Sequence, residues 1–355
     1  MSVEAPAPKA PRRVLTGIKP TGVPHVGNYL GAIRPALALS AAHEAFYFIA
    51  DLHALTVRPE REKLIEETYA VAASWLAFGL DPTKVTFYRQ SDVPEIPMLA
   101  WVLSCVMPMG LLNRAHSFKD AQQKGASEDD INVGLYTYPV LMAADILLFD
   151  ADLVPVGKDQ KQHLEIAQEA ARKLNHLYGA ELLKIPEPMI DERVMTIPGL
   201  DGRKMSKSYD NTIQLFVSDK ELGKAVKSIK TDSTAYGSPL PRETTFALFE
   251  LLADPAAAAR LEAQYRSGRK DPAAEDASLA DPSTNYFGWG DAKRALLELL
   301  LDRFGEARKE YARLMADRGH LDALLQGGAQ RARAVAAPVL ERVLTGTGLR
   351  APRRA

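Results

Sequence analysis

Three short apolar runs limit the fold more than any other feature: Arg13-Val14-Leu15-Thr16-Gly17, Phe46-Tyr47-Phe48-Ile49-Ala50 and Val85-Thr86-Phe87-Tyr88. Each is too short for a helix, and the last two are aromatic or β-branched with no polar alternation. Strands buried on both faces of a parallel sheet read this way. Helix-spaced stretches lie between them. One begins at Tyr29-Leu30-Gly31-Ala32-Ile33, with Pro35 expected to kink or end it. A second is opened by Pro59 and stopped by Gly79, with Leu64, Ile65, Thr68, Val71, Ala72, Trp75 and Leu76 at helical spacing. Helices near 96–112 and 141–149, a strand at Leu153 to Val156, a helix from Gln160 to Asn175 and a last strand at Arg193-Val194-Met195-Thr196 continue the alternation. The pattern predicts an α/β, Rossmann-like, doubly wound parallel sheet with ligands at the carboxyl ends of its strands.

Beyond Thr212 the strand signals vanish, and Ala- and Leu-rich helical patterns run almost to the end, interrupted around 268–290. This predicts a C-terminal all-helical domain. The expected division is a flexible tail over 1–12, a catalytic domain over 13–211, a helical domain over 212–345 and a tail over 346–355. Within the catalytic domain, a polar segment at about 113–131 interrupts the nucleotide-binding fold, and a lysine-bearing loop spans about 200–210.

At 355 residues the chain is long enough for two domains. Its formal net charge of −1 hides an asymmetry: residues 291–355 hold 13 Lys/Arg against 8 Asp/Glu, a net of +5. Such a surplus could face a phosphate backbone or be plain solvated helix surface. Cys105 is the only cysteine, which excludes an intrachain disulfide and a cysteine zinc cluster and makes the cytoplasm the natural compartment. No segment reaches the roughly 20 apolar residues needed to span a bilayer. The Pro/Ala-rich start, Met1 to Arg13, lacks the apolar stretch of a secretory signal.

Two signatures carry the chemistry. His25-Val26-Gly27-Asn28 follows the first strand, so Thr21, Gly22, Gly27 and Asn28 fall at a helix N-terminus, where free N–H groups favour anions. Far along the chain, Arg203-Lys204-Met205-Ser206-Lys207-Ser208 sets three cations in one loop. Lysines flanking Met and Ser suit a leaving pyrophosphate, whose charge develops only during reaction. Together the signatures describe a grip on a nucleoside triphosphate from two sides. Asp145 is the third anomaly, a carboxylate in the apolar run Val140 to Phe149, where it must cap, pair or bind something.

These residues resemble the class I aminoacyl-tRNA synthetases, with their His-x-Gly-His/Asn and Lys-Met-Ser-Lys-Ser patterns. Within that class the chain is most similar to the tryptophan-specific enzymes. The closer match lies in the segments from Gly17 to Ala32, Asp51 to Thr56, Tyr138 to Asp145 and Val154 to His163. The resemblance implies ATP-driven tryptophan activation to an adenylate, transfer of tryptophan to tRNA(Trp), Mg²⁺ carried on the phosphates with no dedicated protein metal site, and a homodimer. It assigns His25, Lys204 and Lys207 to charge stabilisation. ATP contacts fall to Lys19, Pro20, Thr21, Gly27 and Asn28, to Gly157, Lys158 and Asp159 at the ribose, and to Val194, Met205, Ser206 and Ser208. Asp145 would accept the indole N–H between Met142, Val154 and Val156, while Tyr138 and Gln160 hold the ammonium. Asp51, Leu52 and His53 would shape the pocket floor, and the helical domain would read the anticodon.

Lys19, Leu15 and Ser104 depart from the family's usual residues; Leu15 would loosen the tryptophan pocket, and Ser104 falls near the indole in the family pattern. Three rival readings stand beside this one. A tyrosyl-tRNA synthetase could use Asp145 for a phenol, although Asn28 and the Leu-Met-Ala-Ala-Asp run oppose it. A small-molecule nucleotidyltransferase shares the histidine signature but needs no large helical unit, and a catalytically weak synthetase-like binding protein would not need an intact lysine loop.

Overall fold

The computed structural model describes residues 11–113, 131–156, 161–190, 196–274 and 281–351. Five parallel strands, β1 (Arg13–Ile18), β2 (Glu44–Ile49), β3 (Thr86–Arg89), β4 (Leu153–Val156) and β5 (Glu187–Ile190), form one sheet in the order β3-β2-β1-β4-β5. Leu15 pairs with Phe46, Phe48 with Tyr88, Val14 with Leu153 and Val154 with Pro188. The order reverses between β1 and β4, which makes the crevice beyond their carboxyl ends the place for a ligand. Phe46, Tyr47, Phe48 and Ile49 are all buried, as strands covered on both faces must be.

By its contacts the chain divides into two compact units, residues 1–22, 36–194 and 314–355 in one, residues 23–35 and 195–313 in the other. The boundary read from sequence at 211/212 differs from this in two ways. The lysine loop groups with the helices that follow it rather than with the sheet. Helix Arg318–Gly346 groups with the sheet rather than with the helical domain. The reason for the second is close packing: a Cβ on Gly328 would lie 1.7 Å from the Phe87 carbonyl oxygen, so only glycine lets this helix rest on β3. Arg331 then donates to the Pro82 and Val85 carbonyls, and Arg333 pairs with Glu95 at 2.9 Å.

The second unit contains helices Asp219–Lys227, Thr244–Leu252, Pro255–Ser267 and most of Trp289–Ala316 and, among the described residues, only isolated bridges in place of strands. The helical turn at Val26–Asn28 opens into a π-helical segment over Tyr29–Ile33 before Arg34–Ser40 resumes α geometry. That wider turn answers the proline expectation: Pro35 brings no N–H and a bulky ring, and loosening the preceding turn accommodates both without ending the helix. Tyr29 meets Phe304 edge-on at 5.0 Å, anchoring the first signature to helix Trp289–Ala316.

Three sequence readings shift. The helix expected over 96–112 breaks after Ser104 and restarts as Met109–Leu112 behind Pro108. The helix expected at 141–149 begins at Val133, capped by Asn132 and carrying Pro139 inside. The last strand is β5, ahead of the position predicted; Arg193, Val194 and Met195 lie outside the described residues, as do 1–10 and most of the interrupting segment.

Candidate active site

Lys19, Asp51 and Gln90 stand one or two residues past the carboxyl ends of β1, β2 and β3. The parallel sheet therefore delivers three polar side chains to one edge. Asp145 approaches from helix Val133–Leu147 and is wholly buried. Its carboxylate accepts two hydrogen bonds from the Gln90 amide nitrogen, at 2.8 and 2.9 Å. The Gln90 amide meets His53 Nδ1 as well, its nitrogen at 3.0 Å and its oxygen at 3.2 Å; with the nitrogen's two protons spent on Asp145, the oxygen is the group that accepts the Nδ1–H. This assignment leaves His53 Nε2 a lone pair, buried, without a hydrogen-bond partner among the described residues and 3.9 Å from Asp145 Oδ2. Two acceptors side by side in a dry pocket call for a ligand that brings an N–H.

The electrostatics agree. Burial lowers the His53 pKa to about 4; the Gln90 hydrogen bond opposes this, and the charges of Lys19 and His163 reinforce it. The imidazole is therefore neutral at physiological pH. Burial drives the Asp145 carboxyl well above its ordinary range, the Gln90 bonds counter it, and the charge of Asp51 adds to it. Tyr88, its hydroxyl buried without a partner among the described residues, is raised by burial and then by Asp145. Lys19 is half-buried, lowered by desolvation and hydrogen-bonded to Thr56 Oγ1 at 3.2 Å. That hydroxyl in turn donates to the His53 carbonyl.

In the second unit the two signatures meet. His25 forms an antiparallel bridge with Gln214, and the Val26 N–H donates to the Ile213 carbonyl at 3.0 Å. The Gly27 N–H points at Met205 Sδ, 3.2 Å away. A Cβ at Gly27 would come within 2.9 Å of the His25 ring and 3.3 Å of that sulfur, so the residue must be glycine for the signatures to close on each other. Asn28 Oδ1 accepts the His25 N–H at 3.1 Å and caps the turn. Burial first, and the nearby Lys207 charge second, bring the His25 pKa down to about 4. The first signature is thus a neutral hydrogen-bonding group, and the cationic character of the pair resides in the lysines.

Asn211 holds the lysine loop. Nearly buried, it accepts the Ser206 N–H at 2.8 Å and donates to Asp201 at 2.7 Å and to the Lys204 carbonyl at 3.1 Å. Met205 is buried beneath the loop, while Lys204, Lys207 and Ser208 are exposed and Ser206 is half-buried, its hydroxyl capping the Ser208 N–H.

The structure places other expected residues unevenly. Val154 is buried in the core and Met142 packs against it, and Tyr138 meets His163 Nε2 at 2.5 Å. Pro20 is buried and Thr21 exposed. Gly157, Lys158, Asp159, Gln160 and Val194 lie outside the described residues, and only the backbone of Val156 is described. Leu15 is core, packed with Phe46 and Val154. Ser104 is exposed at a helix end, its hydroxyl donating to the Ala100 carbonyl. Sequence reasoning missed Gln90, His163 and Asn211. Gln90 could have been found as a polar residue directly after a buried strand, and Asn211 by its closeness to the lysine loop.

The fold and these two clusters define a class I aminoacyl-tRNA synthetase. The family model described as tRNA synthetases class I (W and Y) matches residues 7–305, and the chain belongs to that family. It is 46% identical over 354 residues to a tryptophan–tRNA ligase of Pseudomonas syringae pv. tomato, covering 97% of this chain and 75% of that one. A Xanthomonas campestris tryptophan–tRNA ligase is 46% identical over 348 residues, at 95% and 77% coverage. Among solved structures, tryptophanyl-tRNA synthetase from Campylobacter jejuni, complexed with ADP and tryptophan, superposes with a TM-score of 0.85 at 42% identity, covering 95% of this chain and 99% of that one.

Proposed function

We infer that the chain is a tryptophan–tRNA ligase. It activates L-tryptophan with ATP to tryptophanyl-adenylate and pyrophosphate, then passes the aminoacyl group to the terminal ribose of tRNA(Trp). The observation that carries the amino-acid choice is the buried acceptor pair, Asp145 and His53 Nε2, awaiting an N–H donor. A phenol could use the same carboxylate, but the relatives at 44–46% identity are tryptophan–tRNA ligases.

In this reading the carboxylate of tryptophan attacks the α-phosphate, a displacement catalysed by positioning and charge stabilisation with little covalent work for the protein. Lys204 and Lys207 stabilise the growing charge on pyrophosphate. His25, neutral and buried, supplies a hydrogen bond to a phosphate oxygen. Gly27, Asn28, Met205, Ser206 and Ser208 keep the nucleotide-facing backbone in place, with Lys19, Pro20, Thr21 and Val194 as further ATP contacts and Gly157 to Asp159 at the ribose. Met142, Val154 and Val156 wall the indole; Tyr138, oriented by His163, and Gln160 bind the ammonium. Mg²⁺ travels with the triphosphate, held by phosphate oxygens and water.

The anticodon falls to the helical unit. The basic surplus near the C-terminus gives that assignment little support, because much of it is tied to the protein itself: Arg308 to Asp219, Arg318 to Glu66, Arg333 to Glu95 and Arg342 to Asp150. A second copy of the chain is the partner proposed for Met98 and Trp101, apolar and exposed one turn apart on helix Glu95–Ser104, which precedes the interrupting segment in sequence. No helix of the described residues is long and apolar enough to cross a membrane, and tRNA charging for translation sets the work in the cytoplasm. The test is amino-acid-dependent ATP–pyrophosphate exchange across the twenty amino acids. Exchange with tryptophan alone is expected; a preference for tyrosine would end the assignment, and exchange without tRNA charging would favour a nucleotidyltransferase.

A further inference from the structure

We propose that Gln90 is the positioning residue for amino-acid selection: it grips both Asp145 oxygens from one side, so that the carboxylate turns its remaining lone pairs toward the ring donor of the substrate. The proposal rests on the reading of Asp145 as the indole acceptor. Its geometry is independent of that reading. Gln90 is wholly buried, comes from the turn after β3, and is the only hydrogen-bond donor to Asp145 among the described residues. Its amide cannot rotate without loss. A flipped Gln90 would set its oxygen against the carboxylate, breaking two charge-assisted bonds. The His53 Nδ1–H locks the other end.

Two consequences follow. A carboxyl group buried this deeply tends to take up a proton, and a protonated Asp145 is a poor acceptor for an indole N–H. The Gln90 amide favours the ionised form, which alone rewards both of its N–H bonds. Gln90 therefore keeps the pocket an acceptor, and discrimination against rings without a donor depends on it.

The other groups that face Asp145 do not replace it. Asp51 repels its charge, the Tyr88 phenol is kept neutral by burial and by Asp145 itself, and His53 is neutral. Lys19 acts on His53 through its charge, as does His163 from helix Lys161–Tyr178. Glu95, on the packed helix Glu95–Ser104, is committed to Arg333. Asp51 is held by the Ser91 N–H and hydroxyl, which a change at Gln90 leaves in place.

The test compares wild type with Gln90→Met and Gln90→Glu by tryptophan-dependent pyrophosphate exchange from about pH 5.5 to 9, with phenylalanine as the donor-free competitor. Gln90→Met removes the donor at similar length. Near pH 6 its kcat/KM for tryptophan should fall roughly 10- to 100-fold, the size of a hydrogen bond to a charged group. The loss should shrink as pH rises and Asp145 ionises again, so the acid limb moves upward, and selectivity over phenylalanine should fall at low pH and recover at high pH. Gln90→Glu, whose acid must share a proton with Asp145, should move the limb further. Equal losses at every pH, or an unmoved acid limb with unchanged selectivity, would overturn the proposal, since a merely structural role predicts that result. Melting temperatures identify a variant that fails to fold, and the other variant then carries the test. Asp145→Asn separates the two readings: wild-type kinetics there would sink Asp145 as the indole acceptor, whatever Gln90 does.

Discussion

The Asp145 cluster and the lysine loop solve opposite problems of solvation. Around Asp145 the polar groups sit out of solvent: Gln90 and Asp145 are wholly buried, the His53 side chain is 13% exposed, and their hydrogen bonds to one another are made within the protein. On the lysine loop Lys204 and Lys207 are exposed, while Met205 and Asn211 are buried. Selecting one ring among twenty side chains requires a desolvated acceptor, because a wrong ligand must then leave a buried charge unpaired. Stabilising a leaving pyrophosphate requires cations that meet it only as charge develops and that release it afterwards. The loop's backbone is fixed by Asn211 while Lys204 and Lys207 are exposed.

If that contrast holds, the largest effect belongs to the dry side. Replacing Asp145 by Ala should lower kcat/KM for tryptophan by about 10⁴-fold, the range seen when a site built around a buried polar acceptor loses its match. Selectivity over phenylalanine should collapse with it. Pyrophosphate exchange with each amino acid measures both, and a loss below tenfold would break the comparison at its stronger end.

Lys207→Ala comes next. It should cost on the order of 10²–10³ in the rate of adenylate formation, as for other preorganised charge-stabilising donors, with the KM for tryptophan little changed. Rapid-quench measurement of the first turnover checks this. A rise in tryptophan KM with an unchanged rate would move Lys207 to the binding side of the ledger.

The two regions were not equally legible in the sequence. The strand runs, the two signatures and Asp145 all stand out because they break local rules: a polar residue in an apolar helix, three cations in one loop, glycines at a strand-to-helix turn. The partners that make them work obey local rules and so stay silent. Gln90 is an ordinary residue after a strand until β3 and helix Val133–Leu147, 55 positions apart at the contact, bring it to Asp145. Asn211 reads as loop. The two-unit division was hidden for a similar reason, since helix Arg318–Gly346 has the same composition as the helices before it. Its place on β3 depends on the close approach at one glycine, Gly328, which no periodicity signals.

Asn211→Ala tests whether the loop's buried anchor matters apart from its lysines. It removes three hydrogen bonds at once, costing about 1–3 kcal/mol for each group left buried and unpaired. The rate of adenylate formation should fall about tenfold through misplaced lysines. Exchanging the pair, Asp201→Asn with Asn211→Asp, keeps one donor and one acceptor between the two positions and should recover more activity than either change alone.

Acid exposes what the regions share. His25 and His53 both titrate at about 4 in the folded chain, below the ordinary 6.5, so the unfolded chain binds protons first as pH falls. Each histidine's contribution is complete above about pH 6.5 and is lost as pH drops toward 4. Thermal melts over that window should show falling stability, and His25→Gln or His53→Gln should each flatten the decline. An unchanged slope in either variant would mean that its imidazole is not held neutral.

Salt gives the smallest effect and the most direct comparison. At 0.2 M ionic strength the screening length is shorter than 10 Å, so exposed ammonium groups lose part of their pull on an approaching triphosphate while a fully buried carboxylate does not. Raising KCl from about 0.05 to 0.2 M should therefore lower kcat/KM for ATP by a few-fold. The ratio of tryptophan to phenylalanine activation should stay constant. Lys207→Ala should blunt the first response, and Asp145→Ala should leave it intact. If selectivity drifted with salt as steeply as ATP use, the acceptor would be reached by solvent ions, and the dry pocket could not be what separates the two regions.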